Sequence, residues 1–166
     1  MNVRPATADD AEAIARVHVT TWQEAYRDTF GAALDQLSVA DAAERRRAWL
    51  EDPAPGTFTL AGELFGRVAG FANAGPARDD PGMGELYAIY VLPQSWGTGL
   101  GPALMVAVLD GLRTRGFGEA VLSVLADNQR ARRFYEREGW TFEDERDGEH
   151  LGVPVREARY RRSLTG

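Results

Sequence analysis

Residues 84–101 read GELYAIYVLPQSWGTGLG, and the interpretation of the whole chain starts from this segment. Its first half, Glu85 to Leu92, is rich in aromatic and branched residues and predicts a β-strand. The strand should end at Pro93, because proline cannot donate to a sheet ladder. A loop with glycines at positions 97, 99 and 101 follows, and the next segment, PALMVAVLDGLRTRG, has the length and apolar spacing of a helix.

A strand that leads through a glycine-rich turn into a helix presents free backbone N–H groups and the positive end of a helix dipole. Together these form an anion site, most often for phosphate, and glycines let the backbone approach the ligand without an intervening Cβ. A P-loop requires a lysine, and the chain contains none. A dinucleotide-binding turn requires Gly-x-Gly-x-x-Gly, whereas the spacing here is Gly-x-Gly-x-Gly. A glycine-rich turn without a ligand is the simpler alternative.

The composition predicts one domain over residues 1–166, long enough for a substantial core. No apolar run approaches the roughly 18–20 residues of a membrane span, and the N-terminus lacks the apolar centre of a signal peptide, so a cytoplasmic protein without a membrane partner is expected. The absence of cysteine excludes disulfides, a thiol nucleophile and cysteine metal sites. A formal charge of −6 argues against a nucleic-acid partner and weakly favours a cationic substrate such as an amine.

The other segments complete the order β-α-α-β-β-β-α-β-α-β-β, which predicts an α/β protein with a mixed sheet packed by helices. Helical spacing covers residues 8–30, with Thr7 as the cap, and a second helix runs from the cap Ser38 to about residue 50. A hairpin over residues 57–74 precedes the quoted stretch. A strand at 120–125 and a helix ending at 139 follow it. The closing strands, at 140–145 and 155–162, should be joined by a polar loop over residues 146–154.

A second motif lies downstream at Asn128–Trp140, NQRARRFYEREGW. Together with the glycine turn it resembles the GNAT superfamily of GCN5-related, acyl-CoA-dependent N-acetyltransferases. The resemblance covers about residues 85–145, and the order of elements fits the whole chain. It implies the GNAT fold, with a mixed central sheet of about six to seven strands, helices on both faces and splayed central strands.

The resemblance also implies an activity. A family member would move acetyl from acetyl-CoA, as acyl-donor cosubstrate and without a metal, to a primary amine by direct attack in a ternary complex. The acceptor would be a small-molecule amine or a peptide amine. A non-catalytic acyl-CoA-binding or sensing domain of the same fold and a nucleotide-phosphate-binding module are the alternatives. The resemblance leaves open whether the chain forms a homodimer through its closing strands.

In the family the glycine loop is written Gln/Arg-x-x-Gly-x-Gly/Ala, and two registers fit this chain. Residues 94–99 match formally, but residues 96–101 align better when Pro93 and the helix start are held fixed. Tryptophan then replaces the usual Gln or Arg, and the loop contains no basic residue. The resemblance implies that backbone N–H groups of this loop bind the pyrophosphate of the coenzyme, with cations supplied from elsewhere. The implied loop residues are Trp96, Gly97, Thr98, Gly99, Leu100 and Gly101, and the candidate cations are Arg130, Arg132 and Arg133.

The resemblance assigns the pantetheine arm to the end of the central strand, at Ile89, Tyr90 and Val91, where the arm would bind like an added strand. An N–H there would polarise the thioester carbonyl. Asn128 would bind the pantetheine or cap its own helix. Tyr135, seven residues later, would protonate the departing thiolate. A core strand and a core tyrosine are the plain alternatives.

Glu85 is the candidate base, because acetyl transfer requires the acceptor ammonium to lose a proton, either directly or through water. It lies six residues before Val91, a spacing that some family members show. Other members place a glutamate on the following strand, where this chain has Ser123. A surface glutamate at a sheet edge is the alternative.

Trp22 and Tyr26 lie on the first helical region, which lines the acceptor pocket in the family. They are therefore candidate substrate contacts, although an i,i+4 aromatic pair is also typical of core packing. His18 and His150 stand too far apart in the sequence to predict a metal site, and a structural or surface role is expected for both.

Overall fold

A computed structural model describes residues 1–165 and gives seven strands and five α-helices. The strands are β1 (Asn2–Pro5), β2 (Phe58–Leu64), β3 (Arg67–Pro76), β4 (Gly84–Val91), β5 (Glu119–Leu125), β6 (Thr141–His150) and β7 (Val153–Ser163). The helices are α1 (Ala11–Ala25), α2 (Arg27–Phe30), α3 (Val39–Glu51), α4 (Leu100–Thr114) and α5 (Gln129–Arg137). No helix within residues 1–165 combines the length and apolar character needed to cross a membrane.

The strands form one mixed sheet in the order β1-β2-β3-β4-β5-β7-β6. Every neighbouring pair is antiparallel except β4 and β5, which are parallel. Within the part of the chain that the structure describes, this central pair forms ladder pairs only at Gly84 with Ala120 and at Glu85 with Val121. Beyond those two positions the strands diverge. The predicted fold class, including the splayed central strands, is therefore confirmed.

Helices cover both faces of the sheet, because successive side chains of a strand point to opposite sides. On one face, Ile89 of β4 packs with the apolar stripe of α4, including Leu104 and Val108. On the other face, Tyr90 packs with Phe71 of β3 and with Ile14 of α1. Strand β4 is thus held between two layers, while its backbone edge toward β5 is open after Glu85.

The first helical region is interrupted at Tyr26, where α1 ends and α2 begins. Thr7 caps a short 3-10 turn at Ala8–Asp10, and α1 itself begins only at Ala11, three residues later than predicted. The Asp10 carboxylate accepts a hydrogen bond of 2.8 Å from the Thr7 N–H, but it also pairs with Arg4 at 2.8 Å. Ser38 caps α3 as predicted, since its Oγ accepts from the Asp41 N–H at 3.2 Å.

The prediction of a polar loop over residues 146–154 is wrong. Strands β6 and β7 continue as a paired hairpin up to His150 and Val153, which leaves only Leu151 and Gly152 in the turn. Both turn residues have positive φ, 52° and 75°, as in the tight turns that match the twist of a hairpin. The polar sequence misled the prediction because β6 is an exposed edge strand whose charges pair across the ladder, for example Asp147 with Arg156 at 2.8 Å.

Candidate functional site

A cavity of about 1070 Å³ opens where β4 and β5 diverge. It is lined by both strands, by the glycine turn before α4, and by residues of α1, α3, α5 and the closing hairpin. This is at the upper end of the volumes typical of small-molecule and cofactor sites. Most of the residues predicted from the sequence line it: Trp22, Tyr26, Ile89, Tyr90, Val91, Trp96, Gly97, Gly99, Leu100, Gly101, Asn128, Arg133 and Tyr135. Glu85 and Thr98 do not.

The glycine turn has the geometry of an anion site. Gly97 and Gly99 have φ of 77° and 91°, which only glycine adopts without strain, and Gly99 is the N-cap of α4. Within residues 1–165, the N–H groups of Gly97, Gly99 and Gly101 make no backbone hydrogen bond of good geometry. Thr98 braces the turn instead of lining the cavity, since its hydroxyl donates to the Ser95 carbonyl at 2.7 Å. The turn therefore offers several free donors at the positive end of a helix.

Trp96 occupies the position of the expected Gln or Arg and brings an arginine to the turn. Its Nε1 donates to the Val91 carbonyl oxygen at 2.9 Å, which fixes the indole against the end of β4. The Arg130 guanidinium carbon lies 3.5 Å from the centroid of the Trp96 ring, a cation–π contact. Arg130 and Arg133 both line the cavity. Arg132 does not, because it donates to the Ala126 carbonyl at 2.9 Å and to the Tyr160 hydroxyl at 3.0 Å.

Asn128 joins two walls of the cavity. Its Oδ1 accepts from the Ala131 N–H at 3.1 Å, so it caps α5 as its sequence position predicts. Its Nδ2 donates to the Tyr26 hydroxyl at 2.9 Å. Burial raises the pKa of Tyr26, and the hydrogen bond from Asn128 partly offsets that rise. The end of α1 is thus tied to the start of α5 across the opening between β4 and β5.

Tyr135 is buried beside the cavity, and its hydroxyl has no hydrogen-bond partner among residues 1–165. Burial is the main cause that raises its pKa well above the ordinary value, and the neighbouring Tyr90 and Tyr26 add to it. The phenol consequently stays protonated at neutral pH. It can donate a hydrogen bond or a proton to a group in the cavity.

Glu85 is buried, with 6% of its surface exposed, at the closed end of the β4–β5 opening. Its carboxylate binds Arg78, accepting from the Arg78 backbone N–H at 3.1 Å and from Nη2 at 2.7 Å. Arg78 lines the cavity, whereas Glu85 does not. The candidate base is therefore engaged by an arginine, and it is this arginine that lines the cavity.

Aromatic rings of α1 and β4 form an aromatic wall of the cavity. The His18 ring stacks on Tyr90, with centroids 5.6 Å apart, and meets the edge of Trp22 at 5.8 Å. Burial, followed by the positive charges of Arg46 and Arg45, lowers the pKa of His18 to about 4. His18 is therefore a neutral member of the wall at working pH, and the expected structural role fits it.

His150 lies at the cavity through the extended hairpin, which the sequence did not reveal. Its Nε2 is 2.6 Å from the Oε1 of Glu157, and both residues line the cavity. The His150 ring lies 5.7 Å from that of Trp22. A histidine oriented by a carboxylate can accept a proton from a bound molecule. A surface role alone does not describe this residue. The sequence signal was limited to the seven-residue separation of His150 and Glu157, which becomes meaningful only once the tight turn is known.

The charge of the cavity wall is opposite in sign to that of the chain. Five arginines and two glutamates line the cavity, although the whole chain has a formal charge of −6. The arginines are Arg46, Arg78, Arg130, Arg133 and Arg137, and the glutamates are Glu138 and Glu157. The net charge of the chain therefore does not describe the charge of the cavity, because a local potential depends on which charges face it.

Two sequence comparisons agree on one family. A family model described as "Acetyltransferase (GNAT) family" matches residues 19–140. The "Uncharacterized N-acetyltransferase YuaI" of Bacillus subtilis (strain 168) is 36% identical to this chain over 107 residues. That match covers 63% of this chain and 60% of the relative, so the chain spans about three fifths of the relative's length.

Solved structures of low sequence identity share the fold. YncA from Salmonella typhimurium, a putative acetyltransferase solved with its cofactor acetyl-CoA, has a TM-score of 0.76 and 23% identity, covering 100% of this chain and 95% of its own. The PaiA N-acetyltransferase from Thermoplasma acidophilum, in complex with coenzyme A, has a TM-score of 0.75 and 16% identity, covering 98% of each chain.

Proposed function

The chain belongs to the acetyltransferase (GNAT) family, and on that premise we propose that it is an N-acetyltransferase. It moves the acetyl group of acetyl-CoA to a primary amine by direct attack in a ternary complex. One observation carries the proposal: a single cavity joins the open edge of β4, the donor-rich glycine turn and an aromatic wall. The open strand edge and the turn suit an acyl carrier with an amide-containing arm and a diphosphate. The aromatic wall remains for the acceptor.

The coenzyme is proposed to lie along the opening between β4 and β5. Its diphosphate binds the N–H groups of the turn at Gly97–Gly101, with Arg130 and Arg133 as cations. Its pantetheine arm pairs with the backbone of Ile89–Val91 as an added strand. A nucleotide-binding module would use the same turn. However, it would have no evident use for the open edge of β4, which lies in the same cavity.

The proposed chemistry requires one bond to form and one to break. The amine lone pair attacks the thioester carbonyl carbon, a C–N bond forms, and the C–S electron pair leaves with sulfur. Backbone N–H groups at the end of β4 stabilise the developing oxyanion. Tyr135 gives its proton to the departing thiolate. A base removes the proton that the amine nitrogen loses.

Two groups are candidates for that base. Glu85 lies six residues before Val91, the spacing that some family members show. Its carboxylate is bound to Arg78, so it would act on the cavity through water or after Arg78 moves. His150 already lines the cavity and is oriented by Glu157 at 2.6 Å. We therefore add the His150–Glu157 pair as a second candidate base.

Separate variants of the two candidates distinguish them. We expect His150→Asn to lower kcat by about 100-fold, the lower end of the usual effect of removing a general base. Glu85→Gln should lower kcat less and should lower the melting temperature only slightly, because the Arg78 side chain is 74% exposed and water solvates its charge when the carboxylate is removed. The reverse order of the two kcat effects, measured by thiol release across pH, would restore Glu85 as the base.

Calorimetric titration of the full chain tests the function. We expect acetyl-CoA to bind with a micromolar Kd, about −8 kcal/mol, and ATP and NAD to bind far more weakly. A thiol-release screen over amines then separates an enzyme from a non-catalytic acyl-CoA-binding domain, which would bind acetyl-CoA without turnover. Preferential binding of ATP or NAD would refute the acetyltransferase proposal.

A further inference from the structure

The five arginines of the cavity wall differ in which anion, if any, is near each of them. Arg78 pairs with Glu85 at 2.7 Å. Arg130 and Arg133 belong to α5 and are the cations proposed for the coenzyme diphosphate, and Arg137 lies in the last turn of the same helix. Arg46 comes from α3, on the side of the aromatic wall. Arg46 has no carboxylate partner within residues 1–165, and the diphosphate is not proposed to bind it.

Arg46 is half-buried and unpaired within the described part of the chain. Its guanidinium carbon lies 4.9 Å from the centroid of the Phe71 ring, and it makes no hydrogen bond or ion pair with residues 1–165. Burial lowers its pKa below the ordinary value, which means that its charge is poorly solvated there. A guanidinium in this setting is stabilised when an anion enters the cavity.

Three further polar side chains on the same wall lack partners. Thr21 and Asn73 are 7% and 8% exposed, and the Thr21 Oγ1, Trp22 Nε1 and Asn73 Oδ1 atoms are buried without a hydrogen bond within residues 1–165. All three residues line the cavity. The Trp22 N–H can only donate, as can Arg46, whereas the Asn73 oxygen accepts. A ligand that satisfies this wall must bring an anionic acceptor together with a donor.

We infer that Arg46 binds a carboxylate of the acetyl acceptor, so that the acceptor is an amine that also bears a carboxylate. The inference rests on the proposed transferase function. The planar guanidinium fork matches a carboxylate in a two-hydrogen-bond geometry. The Trp22 N–H and the Thr21 hydroxyl supply further donors, and the Asn73 oxygen accepts from the ammonium group. The positive charge of Arg46 disfavours polyamines as acceptors, because it repels the further ammonium groups that a polyamine carries.

The first test compares matched acceptors with the unaltered protein. L-Phenylalanine is assayed against L-phenylalaninamide and phenethylamine, and L-methionine against its amide and 3-(methylthio)propylamine, with acetyl-CoA and thiol detection. ω-Amino acids and dipeptides form further arms that distinguish free α-amino acids from other carboxylate-bearing amines. Spermidine serves as the polycation. We expect kcat/KM for carboxylate-bearing amines to exceed that of their neutral counterparts by about 100-fold, the upper range for hydrogen bonds to charged groups.

The second test uses variants of α3. Arg46→Gln should raise KM for the carboxylate-bearing amines by about 100-fold and leave carboxylate-free amines nearly unchanged, with Arg46→Lys in between. Arg47→Gln is the matched control, since Arg47 is the exposed next residue on the same helix and does not line the cavity. It should leave both classes of acceptor unchanged.

The outcomes separate this inference from the proposed function. The inference is overturned if no carboxylate-bearing amine is acetylated, if the neutral counterparts are preferred, or if Arg46→Gln lowers activity toward both classes equally. In each of these cases acetyl-CoA binding can persist, and the acetyltransferase proposal stands on that binding. Loss of acetyl-CoA binding by the unaltered protein would instead refute the proposed function itself.

Discussion

Replacing Tyr135 by phenylalanine is expected to lower kcat by about 100-fold or more, the usual range for the loss of a general acid. The phenol lies beside the cavity, protonated and without a hydrogen-bond partner among residues 1–165. Its removal deletes a proton donor and leaves the buried ring in place. The Kd of acetyl-CoA should therefore stay within about twofold, because the proposed coenzyme contacts are made by the turn and β4.

A thiol-release assay measures kcat, and calorimetric titration measures the Kd of acetyl-CoA, on the same samples. Tyr160→Phe is the control, since Tyr160 is a buried tyrosine whose hydroxyl bonds Glu136 at 2.9 Å and which does not line the cavity. It should lower the melting temperature and preserve kcat. An unchanged kcat in Tyr135→Phe would remove the tyrosine from the mechanism and leave it as a core residue.

Gly99→Ala is expected to weaken acetyl-CoA binding by about 100-fold, equivalent to the loss of one or two charge-assisted hydrogen bonds. Gly99 has a φ of 91° at the N-cap of α4, beside the free N–H groups of the turn. An alanine there strains the turn and places a methyl group where the diphosphate is proposed to approach. The nearest protein atom to the added Cβ is 3.9 Å away, so the protein itself has room for it.

Gly116→Ala separates the effect on binding from the effect of backbone strain. Gly116 has the same φ of 91°, and a Cβ added there meets nothing within 4 Å. It lies after α4, away from the cavity lining. Both variants should lose similar stability in thermal melts, and only Gly99→Ala should lose affinity. Equal affinities in the two variants would contradict a diphosphate site at the turn.

The sequence was sufficient for the parts of the molecule that local rules govern. A strand stopped by Pro93, a turn of alternating glycines and a helix cap at Asn128 each depend on neighbouring residues, and the structure has all three. The fold followed from these elements and their order. Most of the predicted cofactor residues line one cavity for the same reason, because they flank a single strand–turn–helix unit.

The features that the sequence did not reveal depend on contacts between distant segments. His150 reaches the cavity because a tight turn at Leu151 extends the closing hairpin, and polar residues on an exposed edge strand read as a loop. The partner of Glu85 is Arg78, which the hydrophobic pattern does not predict. Arg46 faces the cavity through the packing of α3 near Phe71, which no spacing rule within α3 reveals.

Within residues 1–165, two ladder pairs, Gly84 with Ala120 and Glu85 with Val121, are the only strand pairing between β1–β4 and the three strands β5, β7 and β6. The sheet is therefore two half-sheets joined along a short seam, with most of its inner border unzipped. A molecule bound along that border stabilises the folded state by RT ln(1 + [L]/Kd), so the free energy of unfolding rises with the concentration of that molecule. A ligand bound at this border is therefore expected both to hold the two half-sheets together and to raise the melting temperature of the chain.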